Sequence, residues 1–297
     1  MSDNDDMYGK IIDCHAHIGS WSADSVDFTE ELLNDAFDEP FEVEVGDDVE
    51  ENEVAYVLVS NMSGIDTKPD GTPRFNEKKT NRFMLDVCAK NPKLKAMLVG
   101  QPGYGDAANL IDTIERRPNE VFGIKLHPNT LRLNANDPLY EPYMAVAERY
   151  NLPVLFHSQS GWSSPLYIFE TARKFPLVPT ILGHLGMGDD ANHFMTFGIL
   201  EAALKSGAAN LYADISWLTP ETTVRILEMS DEETLSHLLF GTDIPLGPFS
   251  DPSYYPQRVS ELKTAIAEEF EEEEAMYLIH KLFFQNSFDL FFAPKNF

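Results

Sequence analysis

His15 and His17 stand two residues apart in Ile-Ile-Asp-Cys-His-Ala-His. His157 closes Leu-Pro-Val-Leu-Phe-His, His184 closes Pro-Thr-Ile-Leu-Gly-His, and Asp243 closes His-Leu-Leu-Phe-Gly-Thr-Asp. Each follows a short apolar run and precedes a loop containing Gly, Ser or Pro. Imidazole nitrogens and a carboxylate are the donors that a borderline divalent cation such as Zn²⁺ takes, and Mn²⁺ accepts the same set. A bound Zn²⁺ lowers the pKa of water from 15.7 to about 7, which at about 1.36 kcal/mol per unit makes deprotonation roughly 12 kcal/mol easier. Asp243 can both touch such an ion and accept the water's proton. A histidine at a strand end is, taken alone, more often a hydrogen-bonded structural residue. The chain has only 8 histidines, however, and His15, His17, His157 and His184 all fall at the same kind of position. Together they point to metal-dependent chemistry.

Such donors work only if the elements that carry them converge. Apolar runs and helical patterns alternate along the chain, which indicates βα units and a parallel sheet. Strands are expected at Lys10–His15, Val54–Ser60, Leu94–Gly100, Val121–Leu126, Pro153–His157, Val178–Gly183, Asn210–Asp214 and Leu238–Thr242. Helices are expected at Phe28–Phe37, Asn76–Lys90, Ala107–Arg116, Pro138–Tyr150, Ser164–Phe175, Asp190–Ser206, Pro220–Met229, Ser253–Phe270 and Ala275–Phe292. In an open sheet the first, fifth, sixth and eighth strands would rarely meet at one point. In a closed barrel all of them face the axis, so the α/β fold expected is a single (β/α)₈ TIM barrel over residues 1–297, with the metal site at the C-terminal ends of its strands. In a strand, residues i and i+2 share a face, so His15 and His17 can hold one ion from one side.

Composition narrows the functions. The length of 297 residues suits one such barrel, and 43% hydrophobic content supplies a core. A net charge of −27 argues against nucleic acid, which demands clustered Lys and Arg. Much of the acid is local, in the segments 39–53 and 268–274; the first reads as an insertion that caps the barrel, forms a dimer contact or is simply solvated. No run of apolar residues is long enough to span a membrane. The first ten residues are polar, without a secretory h-region. Cys14 and Cys88 lie in a strand and a helix, so a disulfide is not expected and the cytoplasm fits. A small-molecule substrate and, from the habit of such folds, a homodimer are the expected partners.

Asp-Cys-His-Ala-His-Ile-Gly, Gly-Ile-Lys-Leu-His-Pro, Leu-Pro-Val-Leu-Phe-His, Ile-Leu-Gly-His-Leu-Gly and Phe-Gly-Thr-Asp-Ile-Pro resemble the amidohydrolase superfamily. They are most similar to its amidohydrolase-related branch, which includes aminocarboxymuconate semialdehyde decarboxylase. The resemblance extends from about Ile11 to Phe291, where Gln-Asn-Ser-Phe-Asp-Leu-Phe is similar to the branch's closing helix. It implies a (β/α)₈ barrel with one or two divalent metals, His15, His17, His157 and Asp243 as ligands, and His184 polarising or protonating the substrate. Lys125, in Gly-Ile-Lys-Leu-His, has two readings. Resemblance to binuclear members such as dihydroorotase makes it a carbamylated bridge to a second metal held by His157 and His184. Otherwise it is a buried cation paired with a carboxylate beside a single metal, which the branch resemblance favours.

Residues after strand ends are expected to line the pocket. Trp21, Trp162 and Trp217 each follow a strand and either wall the pocket or pack over the barrel mouth. His127, two residues after Lys125, is a substrate contact or a structural loop histidine. Arg132 is the candidate to grip a substrate carboxylate, since a guanidinium fork matches that geometry. The leading functional expectation is hydrolysis of a small amide, lactone or related carbonyl compound by metal-activated water. Non-oxidative decarboxylation of an aromatic or enoic acid, with Arg132 and His184 as clamp and proton donor, is the alternative on the same scaffold. A non-catalytic metal-binding barrel is the third, and the intact donor set argues against it.

Overall fold

The computed structural model describes residues 9–19, 37, 39–46, 48–208, 210–246 and 254–293. Apolar runs rich in β-branched residues form strands β1 (Lys10–Ile18), β2 (Phe41–Val45), β3 (Asp48–Asn61), β4 (Leu94–Val99), β5 (Val121–Leu126), β6 (Val154–Phe156), β7 (Thr180–Leu182), β8 (Leu211–Asp214) and β9 (Leu238–Leu239). All except β2 pair in parallel, in the order β1-β3-β4-β5-β6-β7-β8-β9. The sheet then closes on itself. Cys14 N–H donates to the Phe240 carbonyl at 3.0 Å, Asp243 N–H to His15 at 2.6 Å, and His17 N–H to Ile244 at 2.8 Å. With intervening helices such as Ala107–Arg116, Pro165–Lys174 and Pro220–Met229, the architecture is a (β/α)₈ barrel. No helix among the described residues is long and apolar enough to cross a membrane.

The barrel has two apolar layers. Ile11, Ala16, Ile18, Val57, Val59, Ile124 and Phe156 face outward into the main core under the helices. Ile12, Cys14, Leu58, Met97, Leu155, Ile181 and Leu239 face inward and meet Phe284, Leu290 and Phe291 from the last helical segment, which plugs the N-terminal end. Gly123 makes room inside: a Cβ there would come within 2.8 Å of Met97 Cε. The closing segment is expected as one helix and is instead Glu272–His280, a π turn at Lys281–Gln285, and Asn286–Phe291. Asn286 within it donates its side-chain amide to the Leu235 and Leu238 carbonyls, both at 2.8 Å, and so holds the plug under β9.

Within the acidic segment 39–53 the described residues form a hairpin. β2 runs antiparallel to the first part of β3, pairing Phe41 with Asn52 through Val45 with Asp48. Val43 and Val45 are buried while Glu42 and Glu44 are exposed, the alternation of a half-buried strand. Helix Tyr254–Glu269 fastens it from outside: Ser260 Oγ donates to the Glu44 carbonyl at 2.6 Å, and the buried Lys263 ammonium reaches Glu50 at 2.8 Å and Asn52 at 2.6 Å. The hairpin therefore extends the N-terminal side of β3, away from the C-terminal mouth. The helix expected at Phe28–Phe37 lies, apart from Phe37, outside the described residues.

Candidate metal centre

β1 brings its two histidines inward only because it is irregular. Ile12 and Cys14 already point to the axis, so strict alternation would turn His15 and His17 outward. Between Asp13 and Ala16, β1 advances three residues while β3 advances two, from Val57 to Val59. The extra residue is a bulge that re-aims the strand. His15 and His17 then face the interior, and Ala16 and Ile18 join the outer core. The closure described above carries Asp243, from the far end of the chain, onto the same spot.

There His17 Nε2 lies 2.8 Å and His15 Nε2 3.1 Å from Asp243 Oδ1. His15, His17 and Asp243 are buried, and their ligand atoms lie within 4.8 Å of one another. An ion bound at about 2.0–2.2 Å sets tetrahedral ligand atoms about 3.3–3.6 Å apart, somewhat wider than the 3.1 and 2.8 Å that separate the two imidazoles from Asp243 Oδ1. The other ring nitrogens are tied back: His15 Nδ1 to Asp214 Oδ2 at 2.9 Å and His17 Nδ1 to Ser60 Oγ at 2.8 Å. Carboxylate and hydroxyl partners of this kind orient an imidazole and aim its Nε2 lone pair at a metal. The residues present fit a divalent cation. Asp243 Oδ2 accepts from Trp217 Nε1–H at 2.8 Å, which holds the carboxylate in place.

A second pair of imidazoles adjoins the first. His157 Nδ1 lies 3.1 Å from His184 Nε2. His184 sits in a left-handed turn, with φ of 62° at His184 and 44° at Leu185. Residues other than glycine hold such angles only under constraint. Here the Asp214 carboxylate accepts the His184 N–H at 3.0 Å and Ser158 Oγ accepts the Gly186 N–H at 3.0 Å. Lys125 Nζ lies 2.6 Å from His15 Nε2, at the centre of the whole cluster.

Burial dominates the protonation states. It pushes His17 and His157 down to about 4 and His184 and His127 well below the ordinary imidazole range. Burial and Lys125 act the same way on His15, but Asp214 and Asp243 outweigh them and raise it. Burial lowers the Lys125 ammonium to about 8 against the pull of Asp243 and Asp214. For Asp243 burial acts upward, and its imidazole neighbours override it to hold the carboxyl well below the carboxylate range. Neutral His17, His157 and His184 beside the ionised Asp243 are donors of the kind a metal takes.

A cavity of about 380 Å³ opens over the cluster, lined among others by His17, Lys125, His127, His157, Trp217 and Asp243. His127 stacks on His157 with ring centroids 4.0 Å apart and planes at 9°. Of the residues expected to line the pocket, Trp217 and His127 do. Trp162 is 44% exposed in the turn Gly161–Ser163 and is not on this wall. Arg132 is an exposed left-handed cap with its Cδ near Gly71, also off the wall, and so grips nothing in the cavity. His184 stands behind His157 rather than on the surface of the cavity. Trp21 lies outside the described residues. Asp214, Ser60, Ser216 and Gln159 are the site's unanticipated members. Asp214 carries the same signal as the others, since it closes the apolar run Asn-Leu-Tyr-Ala-Asp at a strand end.

The family model for amidohydrolases matches residues 12–280. The chain belongs to the amidohydrolase family. No curated protein matches this amidohydrolase, but solved structures do. The 5-carboxyvanillate decarboxylase of Sphingomonas paucimobilis is 14% identical with a TM-score of 0.60, covering 95% of this chain and 99% of that one. The 5-carboxyvanillate decarboxylase of Novosphingobium aromaticivorans, complexed with manganese and 4-hydroxy-3-methoxy-5-nitrobenzoic acid, is 14% identical with a TM-score of 0.54 over 80% of this chain and 76% of that one. The 4-oxalomesaconate hydratase of Rhodopseudomonas palustris is 11% identical with a TM-score of 0.57 and 95% coverage of each chain. At these identities the likeness is one of fold.

Proposed function

We propose that this amidohydrolase is a metal-dependent hydrolase that adds water to the carbonyl carbon of a small amide, lactone or related substrate. The convergence of His15 Nε2, His17 Nε2 and Asp243 Oδ1 on one point beneath the cavity carries the proposal. A divalent cation there supplies Lewis acidity and an acidified water at neutral pH. Zn²⁺ suits the mixed nitrogen and oxygen donors, and Mn²⁺ is supported by the manganese in a structural neighbour. Asp243 accepts the water's proton and returns it to the leaving group, while Trp217 keeps the carboxylate oriented throughout. His127 and Trp217 form an aromatic wall for a small, flat substrate.

Hydrolysis is preferred to decarboxylation because of what the cavity offers a carboxylate. Lys125 is the cation on its described wall, and Arg132 points elsewhere. The segments 20–36 and 247–253, which follow β1 and precede the last long helix, contain no Lys or Arg. A substrate acid group would thus have Lys125 alone besides the metal. The test is turnover of lactone, amide and aromatic-acid panels by Zn²⁺- or Mn²⁺-loaded protein in ¹⁸O-labelled water. Incorporation of one labelled oxygen into the organic product supports the proposal; release of carbon dioxide with no label in the organic product replaces it by the decarboxylase reading.

A second cation is favoured by one observation, the approach of His157 Nδ1 and His184 Nε2 to 3.1 Å. That spacing suits two ligands of one ion, with Lys125 as the adjoining group. His184 would then serve as a ligand rather than as a proton donor to substrate. Metal content per chain by plasma mass spectrometry, with intact mass to detect carbamylated Lys125, decides between one ion and two.

A further inference from the structure

We propose that Asn129 and Gln159 form a hydrogen-bond relay that fixes the tautomer of His157, with Nε2 protonated and Nδ1 bare toward His184. Its consequence for metal rests on the second-cation reading above; the relay itself does not.

One group in this chain of contacts has a fixed role. The Ser163 backbone N–H can only donate, and it does so to Asn129 Oδ1 at 3.0 Å. The other end of the Asn129 amide is therefore its NH₂, which donates to Gln159 Oε1 at 2.7 Å. Ser163 Oγ accepts the Asn129 backbone N–H at 3.0 Å and clamps the residue from its other side. Gln159 Oε1 is thus an acceptor, and His157 Nε2, 3.1 Å from it, must carry the hydrogen. A neutral imidazole has one N–H, so Nδ1 is bare.

His184 is fixed from the opposite direction. The Asp214 carboxylate can only accept, and it takes the Ser216 hydroxyl proton at 2.5 Å. Ser216 Oγ then accepts from His184 Nδ1–H at 2.7 Å, which leaves His184 Nε2 bare. Two lone pairs face each other at 3.1 Å. Among the described residues no hydrogen bond satisfies them, because each ring's proton is committed to the far side. A shared cation does.

The near-isosteric change Asn129→Asp tests this with an inverted sign. A carboxylate there still accepts from Ser163 but cannot donate to Gln159. The Gln159 amide must turn its NH₂ toward both the new carboxylate and His157 Nε2, which moves the imidazole proton to Nδ1. Simple electrostatics expects an added negative charge to tighten cation binding; the relay expects it to weaken the second ion at least tenfold. Gln159→Glu is the conservative control, since its oxygens still accept from both neighbours and the tautomer should stay as it is.

The experiment is ¹⁵N–¹H correlation of histidine-labelled, chelator-treated full chain, which distinguishes bare from protonated ring nitrogens, followed by Zn²⁺ titration with plasma mass spectrometry. The expected result is bare Nδ1 at His157 in the parent and in Gln159→Glu, and bare Nε2 in Asn129→Asp. A parent with protonated Nδ1, or an Asn129→Asp protein with unchanged tautomer, overturns the relay. If Asn129→Asp does not fold, Gln159→Leu replaces it, and retention of a single bare-Nδ1 tautomer there is equally fatal. A tautomer switch between parent and Asn129→Asp, with a parent that binds one ion, supports the relay and sinks the second-cation reading. The same switch with a metal-loaded parent that turns over no substrate supports the relay and sinks the hydrolase reading.

Discussion

The two halves of the barrel interior are built from the same strands and do opposite work. Toward the N-terminal end, Ile12, Cys14, Leu58, Met97, Leu155, Ile181 and Leu239 pack against Phe284, Leu290 and Phe291. A few residues further along the same strands stand His15, His17, Lys125, Asp214 and Asp243, all buried. The lower layer gains stability from apolar surface removed from water. The upper layer buries charge at a cost, and keeps it only because each carboxylate meets an imidazole or hydroxyl. One barrel thus divides into a floor that holds it together and a mouth that holds its chemistry.

Substitutions in the two layers should separate cleanly. Asp243→Asn, which keeps shape and loses the proton acceptor, should lower kcat by roughly three orders of magnitude, with a melting temperature no lower than that of the parent. A similar loss of stability and activity together would merge the two layers. Phe284→Ala should do the reverse, costing about 3–5 kcal/mol in denaturant unfolding by leaving a cavity in the plug while kcat per folded molecule is retained. Asp214→Asn should weaken Zn²⁺ binding by about 10–100-fold through the freed His15 imidazole, measured by competition with a chromophoric chelator.

Gly241→Ala probes the boundary between the layers. A Cβ at Gly241 would approach His15 Cβ to 2.9 Å, so we expect a loss of about 1–3 kcal/mol accompanied by weaker metal binding, because the displaced residue is one of the proposed ligands. A pure stability effect would show that His15 tolerates the shift. The smallest effect concerns the thiols. Burial pushes Cys88 up to about 12 and Cys14 well above the ordinary thiol range. A raised thiol pKa means less thiolate, the reactive form, at every pH below it. At pH 8 a disulfide reagent should therefore label neither until denaturant is added; prompt labelling of Cys14 would indicate a floor that opens.

Much of this was written locally in the chain. Val121–Leu126 and Ala107–Arg116 form as their patterns predict, because strand and helix periodicity are properties of a few neighbouring residues. The strand Phe41–Val45 was not foreseen, although Phe-Glu-Val-Glu-Val followed by Gly-Asp carries the alternation, because its charge disguised it. Arg132 illustrates the opposite limit. Its type suits a carboxylate clamp, yet its direction is set by a left-handed turn with φ of 53°, which no spacing reveals.

The sequence by itself determined the donor types, the strand ends on which they sit and the family to which they belong, since these depend on residue identity and short-range pattern. Only the tertiary structure decided which donors share an atom's width of space. Barrel closure joins Asp243 to His15 and His17 across more than two hundred residues, and a bulge turns both histidines inward. The proton on each imidazole is set in turn by partners from other strands and loops, Asp214, Ser60, Ser216 and Gln159. Hydrogen-bond direction is a property of neighbours in space, and neighbours in space are what a linear pattern does not contain.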